Sequence, residues 1–178
     1  MNEGLGASAS TMAVIEMAFG VGILCGGAVF VRYLNNLIGR FIALISGNGL
    51  LGIGLFSSAF SSDIYLISMW FFIGGAGFAI FNINASTLRA AATPSEFRSR
   101  MAAGVAFLSS CLNPLATQGV GFAIDDLGIV SGVEICGVLI ILSTFLLIRN
   151  SDAKSLLSRS DEDIVGVYRE LYPRAFGK

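Results

Sequence analysis

The chain has no histidine among its 178 residues and little charge of either sign. Charged residues make up 13% of it and hydrophobic residues 54%, whereas soluble domains carry about 25% charged residues. The absence of histidine excludes His-ligated metals, haem held through histidine and histidine-based proton relays. The net charge of −1 provides no basic field for nucleic acid. This composition is typical of an integral membrane protein.

Cysteine is also scarce, and the three residues present form no Cys-x-x-Cys motif. Cys25, Cys111 and Cys136 all lie in apolar runs, where cysteine serves as a small packing residue. The sequence shows no nucleophile–base pairing, metal-ligand spacing or Gly-rich phosphate loop. We therefore predict a protein that is not an enzyme and that has no cofactor and no metal site.

Five stretches are apolar over the ~20 residues that a helix needs to cross a bilayer. They are approximately residues 11–31, 41–60, 64–88, 101–123 and 128–148. A backbone exposed to lipid must satisfy its own hydrogen bonds, so each stretch is predicted to be an α-helix. The expected fold class is an all-α membrane protein, preceded by an external leader at residues 1–10.

The eleven Lys and Arg residues lie in only three places along the chain. They are Arg32 and Arg40 after the first span, Arg89, Arg98 and Arg100 after the third, and six residues from Arg149 to Lys178 after the fifth. The alternate connections and the leader contain none, which is the pattern of the positive-inside rule. We predict a multi-pass protein of the cell (inner or plasma) membrane, with the N-terminus outside and the C-terminus in the cytoplasm.

The tail at residues 149–178 is more polar than the rest of the chain. Ser160 and the three acids after it are typical of a helix start. Apolar side chains then recur on one helical face: Ile164, Val167, Tyr168, Leu171 and Tyr172. We predict a short amphipathic helix at about 161–172 that lies against the cytoplasmic side of the bundle or on the lipid headgroups.

Three stretches carry a family likeness: LGASAS (residues 5–10) with IEMAFGVGILCGG (15–27), the segment Arg32–Arg40, and Thr93–Arg100 followed by Asn113–Leu115 and Gly121–Gly128. In order and spacing they resemble the C-terminal half of a major facilitator superfamily transporter, in the macrolide-efflux-like and siderophore-exporter-like branch. The likeness covers nearly all of residues 4–148. The sequence departs from the family's Gly-x-x-x-Asp-x-x-Gly-Arg loop, since Asn35 and Asn36 stand where the acidic residue belongs.

The resemblance implies that the five spans form most of one six-helix half of the major facilitator fold, with a further helix upstream of Met1. It implies the C-terminal part of a secondary active, proton-coupled efflux transporter for small amphipathic molecules such as drugs or siderophores. The implied partners are the lipid bilayer, the missing N-terminal half (on the same chain or a separate one), the substrate and H+. The alternative is a non-transporting membrane assembly or accessory subunit, which has the same composition.

Two acids inside the spans are candidates for substrate or proton binding, because charge in the hydrocarbon is costly. Glu16 and Glu134 lie about 8–9 Å into their spans at ~1.5 Å per residue, which is the outer third of the membrane. Desolvation favours the protonated carboxyl, so proton uptake by Glu16 could accompany substrate release. Alternatively, either acid reaches the outer headgroups or a water-filled cleft.

Four amides inside the spans are the other candidates: Asn48, Asn82, Asn84 and Asn113. Each either lines a substrate cavity or forms a hydrogen bond to a neighbouring helix. The sequence leaves both alternatives open.

Glycines and arginines of the two charged connections are candidates for gating. The resemblance implies that Gly39 and Arg40, and later Arg98 and Arg100, help to close the cytoplasmic mouth. The alternative is that the arginines only orient the hairpins. Glu96 can pair locally with Arg98 or Arg100.

Small residues recur every four positions on several spans, a spacing that lets helix backbones approach closely. Ala18, Gly22 and Gly26 form such a stripe on the first span, and residues 43/47, 75/79 and 102/106/110 form others. Pro114 lies inside the fourth span and is predicted to kink it, since proline lacks the backbone donor.

Overall fold

The computed structural model describes residues 9–149, 164–165 and 167–172. The α-helices of these residues are α1 (Ala9–Cys25), α2 (Val31–Ile38), α3 (Arg40–Ala59), α4 (Ile64–Ala92), α5 (Arg98–Leu127), α6 (Ile129–Arg149) and α7 (Val167–Leu171). Within the described residues there is no strand, as an all-α fold requires. Most of the leader, and the acidic start expected for the tail helix, lie outside them.

The first two helices form one long rod because a π-helical segment, Gly26–Phe30, joins α1 to α2. The rod ends at Gly39, whose φ of 80° lies in a region that glycine adopts without steric cost. The Gly39 carbonyl accepts a hydrogen bond from the Ala43 amide (3.0 Å) in the first turn of α3. The connection expected at residues 32–40 therefore shrinks to one residue, and Arg32 lies on a helix.

Four helices are long and apolar enough to cross a membrane: Ser10–Ile38, Arg40–Ala59, Ile64–Ala92 and Ile129–Arg149. The remaining predicted span lies in α5, which is long enough at 30 residues but carries Asn113, Thr117 and Gln118 in its second half. Four of the five predicted spans thus have the length and composition of membrane-crossing helices. The crossing of α5 stays a prediction.

The central helix of the bundle is α4, which packs against α1 on one side and α3 on the other. The helix α3 also packs against α6, and α6 packs against α5. The main contacts therefore connect α1, α4, α3, α6 and α5 in that order.

Glycines make the contact between α1 and α4 very close. A Cβ atom added at Gly22 would collide with the Phe72 carbonyl oxygen, and one at Gly26 would lie 2.6 Å from the Ala76 carbonyl oxygen. Gly75 of α4 is equally close to α1, because a Cβ there would collide with the Phe19 carbonyl oxygen. The two glycines of the predicted packing stripe therefore stand at this contact, where a Cβ would meet the α4 backbone.

The contacts of α3 follow the same rule on both of its sides. Gly47 and Gly77 face each other across α3 and α4, each so close that a Cβ would meet the other's carbonyl oxygen within 3 Å. On the α6 side, a Cβ at Gly137 would lie 2.7 Å from the Phe56 nitrogen. Backbone-to-backbone packing thus joins four helices of the bundle.

The helix α5 differs from the others, since none of its residues is buried. Nothing lies within 4 Å of a Cβ built at Gly104, Gly119 or Gly121. The small residues at 102, 106 and 110 are also exposed, so in the described structure their stripe has no partner helix. The helix continues without a break through Pro114.

Candidate functional site

A lateral groove of about 390 Å³ opens between the π-helical segment and the second half of α4. The first rod contributes Ile23, Leu24, Gly27 and Ala28 to its wall, and α4 contributes Phe78, Ala79, Asn82 and Ile83. It is an open groove on the surface of the two helices and not an enclosed cavity. The wall is apolar except for one amide, a lining suited to an amphipathic molecule.

The groove forms where a close contact between α1 and α4 is followed along the chain by two small residues, Gly27 and Ala28. Gly26 touches Ala76 and fixes the separation of the two backbones. The next residues, Gly27 and Ala28, leave the space itself, and a Cβ at Gly27 would already approach the Ile83 side chain to 3.3 Å. The π-helical turn lies at this point, and such turns are frequent at functional sites.

Asn82 supplies the polar group of the groove. Its Nδ2 donates a hydrogen bond to the Phe78 carbonyl oxygen of its own helix at 3.0 Å. No donor among the described residues reaches its Oδ1, so the amide oxygen remains available to a ligand.

Glu16 lies on the same face of α1 as the groove wall. Glu16, Gly20 and Ile23 follow each other at helical spacing, and Glu16 is exposed. Nothing lies within 4 Å of a Cβ at Gly20, so the surface between the acid and the groove is open. Eleven residues separate Glu16 from Gly27. At ~1.5 Å per residue the carboxylate is thus about 16 Å along the helix from the centre of the groove.

This face of α1 and α4 combines an acid at one end with an amide acceptor at the other. No hydrogen bond or ion pair connects the Glu16 carboxylate to the described part of the chain. An apolar strip between a negative charge and an acceptor can hold a cation that has an apolar body. The structure thus brings two of the predicted site residues to one surface.

Asn48 lies elsewhere, at the contact between α3 and α6. It is 6% exposed, and its Nδ2 donates to Ser143 Oγ at 2.9 Å and to Thr144 Oγ1 at 3.0 Å. Both hydroxyls donate in turn to the Ile140 carbonyl oxygen. The amide therefore joins two helices and is remote from the groove.

The other predicted polar residues also lie apart from the groove. Asn84 is 1% exposed, and its Nδ2 donates to the Ile80 carbonyl oxygen at 2.9 Å. Asn113 is exposed on α5 and Glu134 is half-buried on α6, on helices that contribute nothing to the groove wall.

The arginines of the α4–α5 connection are engaged close to their own positions. Arg98 Nε donates to the Thr93 carbonyl oxygen at 3.3 Å, and the Arg100 guanidinium lies 5.9 Å from the centre of the Phe97 ring. Glu96 pairs with Arg169 of α7, with 2.6 Å between Arg169 Nη2 and Glu96 Oε2. The local pairing of Glu96 with Arg98 or Arg100 is therefore not formed. A residue more than seventy positions away provides the cation.

The connection at Gly39 and Arg40 is a sharp corner between two helices. Arg40 is the first residue of α3 and is half-buried. Nearby, the buried Oδ1 of Asn35 accepts no hydrogen bond within the described structure. An unpaired acceptor thus lies four residues before the Gly39 corner.

Sequence reasoning missed the groove itself and two of the polar contacts. The groove wall consists of Gly, Ala, Ile, Leu and Phe, which are indistinguishable from lipid-facing residues in the sequence. The adjacent Gly26 and Gly27 were the only local signal, since two glycines weaken a helix. The partners of Asn48 and Glu96 are distant in the chain, so no local pattern could identify them.

The described residues contain no cluster of three or more His, Cys, Asp or Glu that could hold a metal ion. No protein-family model, curated protein sequence or solved structure matches the chain. A function for the groove must therefore be argued from its chemistry and from the sequence resemblance described above.

Proposed function

We propose that the chain is the C-terminal part of a proton-coupled efflux transporter for small amphipathic molecules, and that the groove between α1 and α4 belongs to its substrate path. One observation carries this proposal. The exposed carboxylate of Glu16 lies on the face of α1 that continues into the groove wall, and the amide oxygen of Asn82 is the polar group of that otherwise apolar wall.

The mechanism follows from the position of the acid. With the N-terminus outside, Glu16 lies near the outer surface, where protons enter down their gradient. The ionised carboxylate attracts a cationic substrate to the outer end of the open face, and the groove, about 16 Å away, holds the apolar body at another point of the path. Proton uptake removes the negative charge, which weakens the attraction and releases the substrate to the outside. The return of the proton to the cytoplasm restores the carboxylate.

The arrangement of the helices supports a transporter half. Secondary transporters bind substrate between two repeats or bundles that rock against each other. Exposed faces of α1 and α5, the two ends of the helix order, are available for an N-terminal half. The chain alone is then expected to transport nothing.

The test uses the natural gene product that contains this chain, expressed in an efflux-deficient bacterial host. Ethidium, a cation with an apolar body, is the probe, and its accumulation in everted vesicles is followed by fluorescence. We expect ethidium transport that requires the pH gradient and that Glu16→Gln abolishes at an unchanged membrane level. Glu134→Gln, which neutralises an acid on α6 far from the groove, is the matched control and should retain transport.

Three outcomes decide the proposal. Transport by Glu16→Gln that equals the wild type at every pH removes Glu16 from the mechanism. Equal loss in Glu16→Gln and Glu134→Gln shows a general effect of charge removal. A complete gene product that moves neither ethidium nor any other amphipathic cation favours the non-transporting assembly or accessory subunit.

A further inference from the structure

The short helix α7 spans five residues and is covered only at its start, since Leu171 and Tyr172 at and just after its end are 47% and 56% exposed. Ile164, just before it, is 1% exposed, and Val167 is 2% exposed. Val165, between them, is 66% exposed and shows that only one side of the segment is covered. The protein itself therefore covers this side.

The ion pair between Arg169 and Glu96 shows where the segment is held. Glu96 belongs to the 3-10 turn Ser95–Phe97 in the connection between α4 and α5. The residues just before that turn, Ala92 and Thr93, are each 1% exposed. The ion pair thus joins two segments that each contain buried residues: Ala92 and Thr93 precede Glu96, and Ile164 and Val167 precede Arg169.

The connection below the tail is internally ordered. The Thr93 amide and hydroxyl both donate to the Arg89 carbonyl oxygen, at 3.2 and 2.7 Å. The Phe97 amide donates to the Pro94 carbonyl oxygen at 3.0 Å. Together with the hydrogen bond from Arg98 to the Thr93 carbonyl oxygen, these contacts hold residues 93–98 in a compact turn.

We propose that the described tail residues, 164–165 and 167–172, form a detachable latch that docks on the α4–α5 connection and shields it from solvent. The apolar side chains of Ile164 and Val167 supply the holding surface, because burial of apolar area drives such contacts. The ion pair gives the latch its position but little strength, since its two side chains are 53% and 63% exposed. A contact of this size, with charges screened by salt, can open without unfolding the helix bundle.

Hydrogen exchange on the full chain in lipid vesicles tests the latch. Val167→Asp places a charge on the covered side, and Val165→Asp makes the same change on the exposed side two residues away. We expect Val167→Asp to raise the exchange rates of the amides of residues 93 and 95–97 severalfold, with the amides of α3 and α4 unchanged, and Val165→Asp to leave all rates unchanged. Equal rates at these four amides in the two variants would overturn the latch.

Cross-linking provides a second test that does not depend on a destabilising change. In a background of Cys25→Ser, Cys111→Ser and Cys136→Ser, the pair Glu96→Cys with Arg169→Cys should react with a short bismaleimide. The pair Asp63→Cys with Arg169→Cys, which places the first cysteine in the α3–α4 connection, should not.

The cross-link also separates detachment from misfolding. When Val167→Asp is added to the Glu96→Cys, Arg169→Cys pair, cross-linking should fall severalfold if the tail detaches. Failure of the original pair to react, or an unchanged yield with Val167→Asp, would overturn docking. Neither measurement involves transport, so the latch and the proposed function succeed or fail separately.

Discussion

A single amide, Asn48, connects α3 to α6 through two hydroxyls. Polar residues between membrane helices contribute modestly, because partners are also found when the helices separate. Two hydrogen bonds to one buried amide nevertheless make Asn48 the main polar contact of that interface. We assign it to assembly of the bundle.

Asn48→Ala should therefore lower the free energy of unfolding by about 1–2 kcal/mol, from the loss of two interhelical hydrogen bonds. The measurement is reversible denaturation in mixed micelles, followed by circular dichroism. Asn82→Ala is the matched control, because the Asn82 amide bonds only within its own helix. An equal effect of the two changes would contradict the assigned role of Asn48.

A second prediction at this scale concerns the groove. Ala28→Trp places an indole in the space that Ala28 and Gly27 leave open, so ethidium transport by the complete gene product should fall severalfold. Leu139→Trp introduces the same ring on α6, where residue 139 is 59% exposed and far from the groove. If both variants transport alike, the groove is not on the substrate path.

At the scale of elements, glycines control how α1 and α4 meet. Gly22 touches the α4 backbone, whereas Gly20, two residues earlier, has free space around its Cβ position. One helix thus has a packed side and an open side within a single turn.

Gly22→Ala should destabilise the protein by about 1–3 kcal/mol, the usual cost of overpacking, because a methyl group would collide with the Phe72 carbonyl oxygen. Gly20→Ala should be neutral or slightly stabilising, since alanine is the better helix former. The same denaturation measurement compares the two. A smaller effect at Gly22 than at Gly20 would show that the helices separate easily.

At the scale of the whole molecule, α5 is the least covered helix. It packs mainly against α6, it buries no residue, and its glycines face open space. An exposed helix with amides in its second half is expected to find a protein partner, which the proposed function supplies as an N-terminal half.

Cys111 offers a natural probe of that surface, because it is exposed on α5 whereas Cys25 and Cys136 are half-buried. With Cys25→Ser and Cys136→Ser, maleimide labelling of Cys111 in detergent should be fast for this chain alone. It should slow severalfold when an N-terminal half is co-expressed and covers α5. Labelling that the second half leaves unchanged would place this face of α5 against lipid.

The success of sequence reasoning differed between local and distant features. The four-residue spacing of Gly22 and Gly26 is a property of one helix and can be read from the sequence, and both glycines lie against the α4 backbone. The local pairing considered for Glu96 is not formed. Its nearest cations in the chain make other contacts: Arg98 donates to the Thr93 carbonyl oxygen, and Arg100 lies over the Phe97 ring.

The helical class and four apolar, membrane-length helices were determined by composition and by the length of the apolar runs, since a backbone in lipid must bond to itself. The tertiary structure decided which faces meet. It placed Asn82 in the groove wall, withdrew Asn48 into a helix contact and brought Arg169 of the tail to Glu96 in the α4–α5 connection. Apolar residues that face lipid and apolar residues that form a groove have the same chemistry. Only the packing of one helix against another distinguishes them.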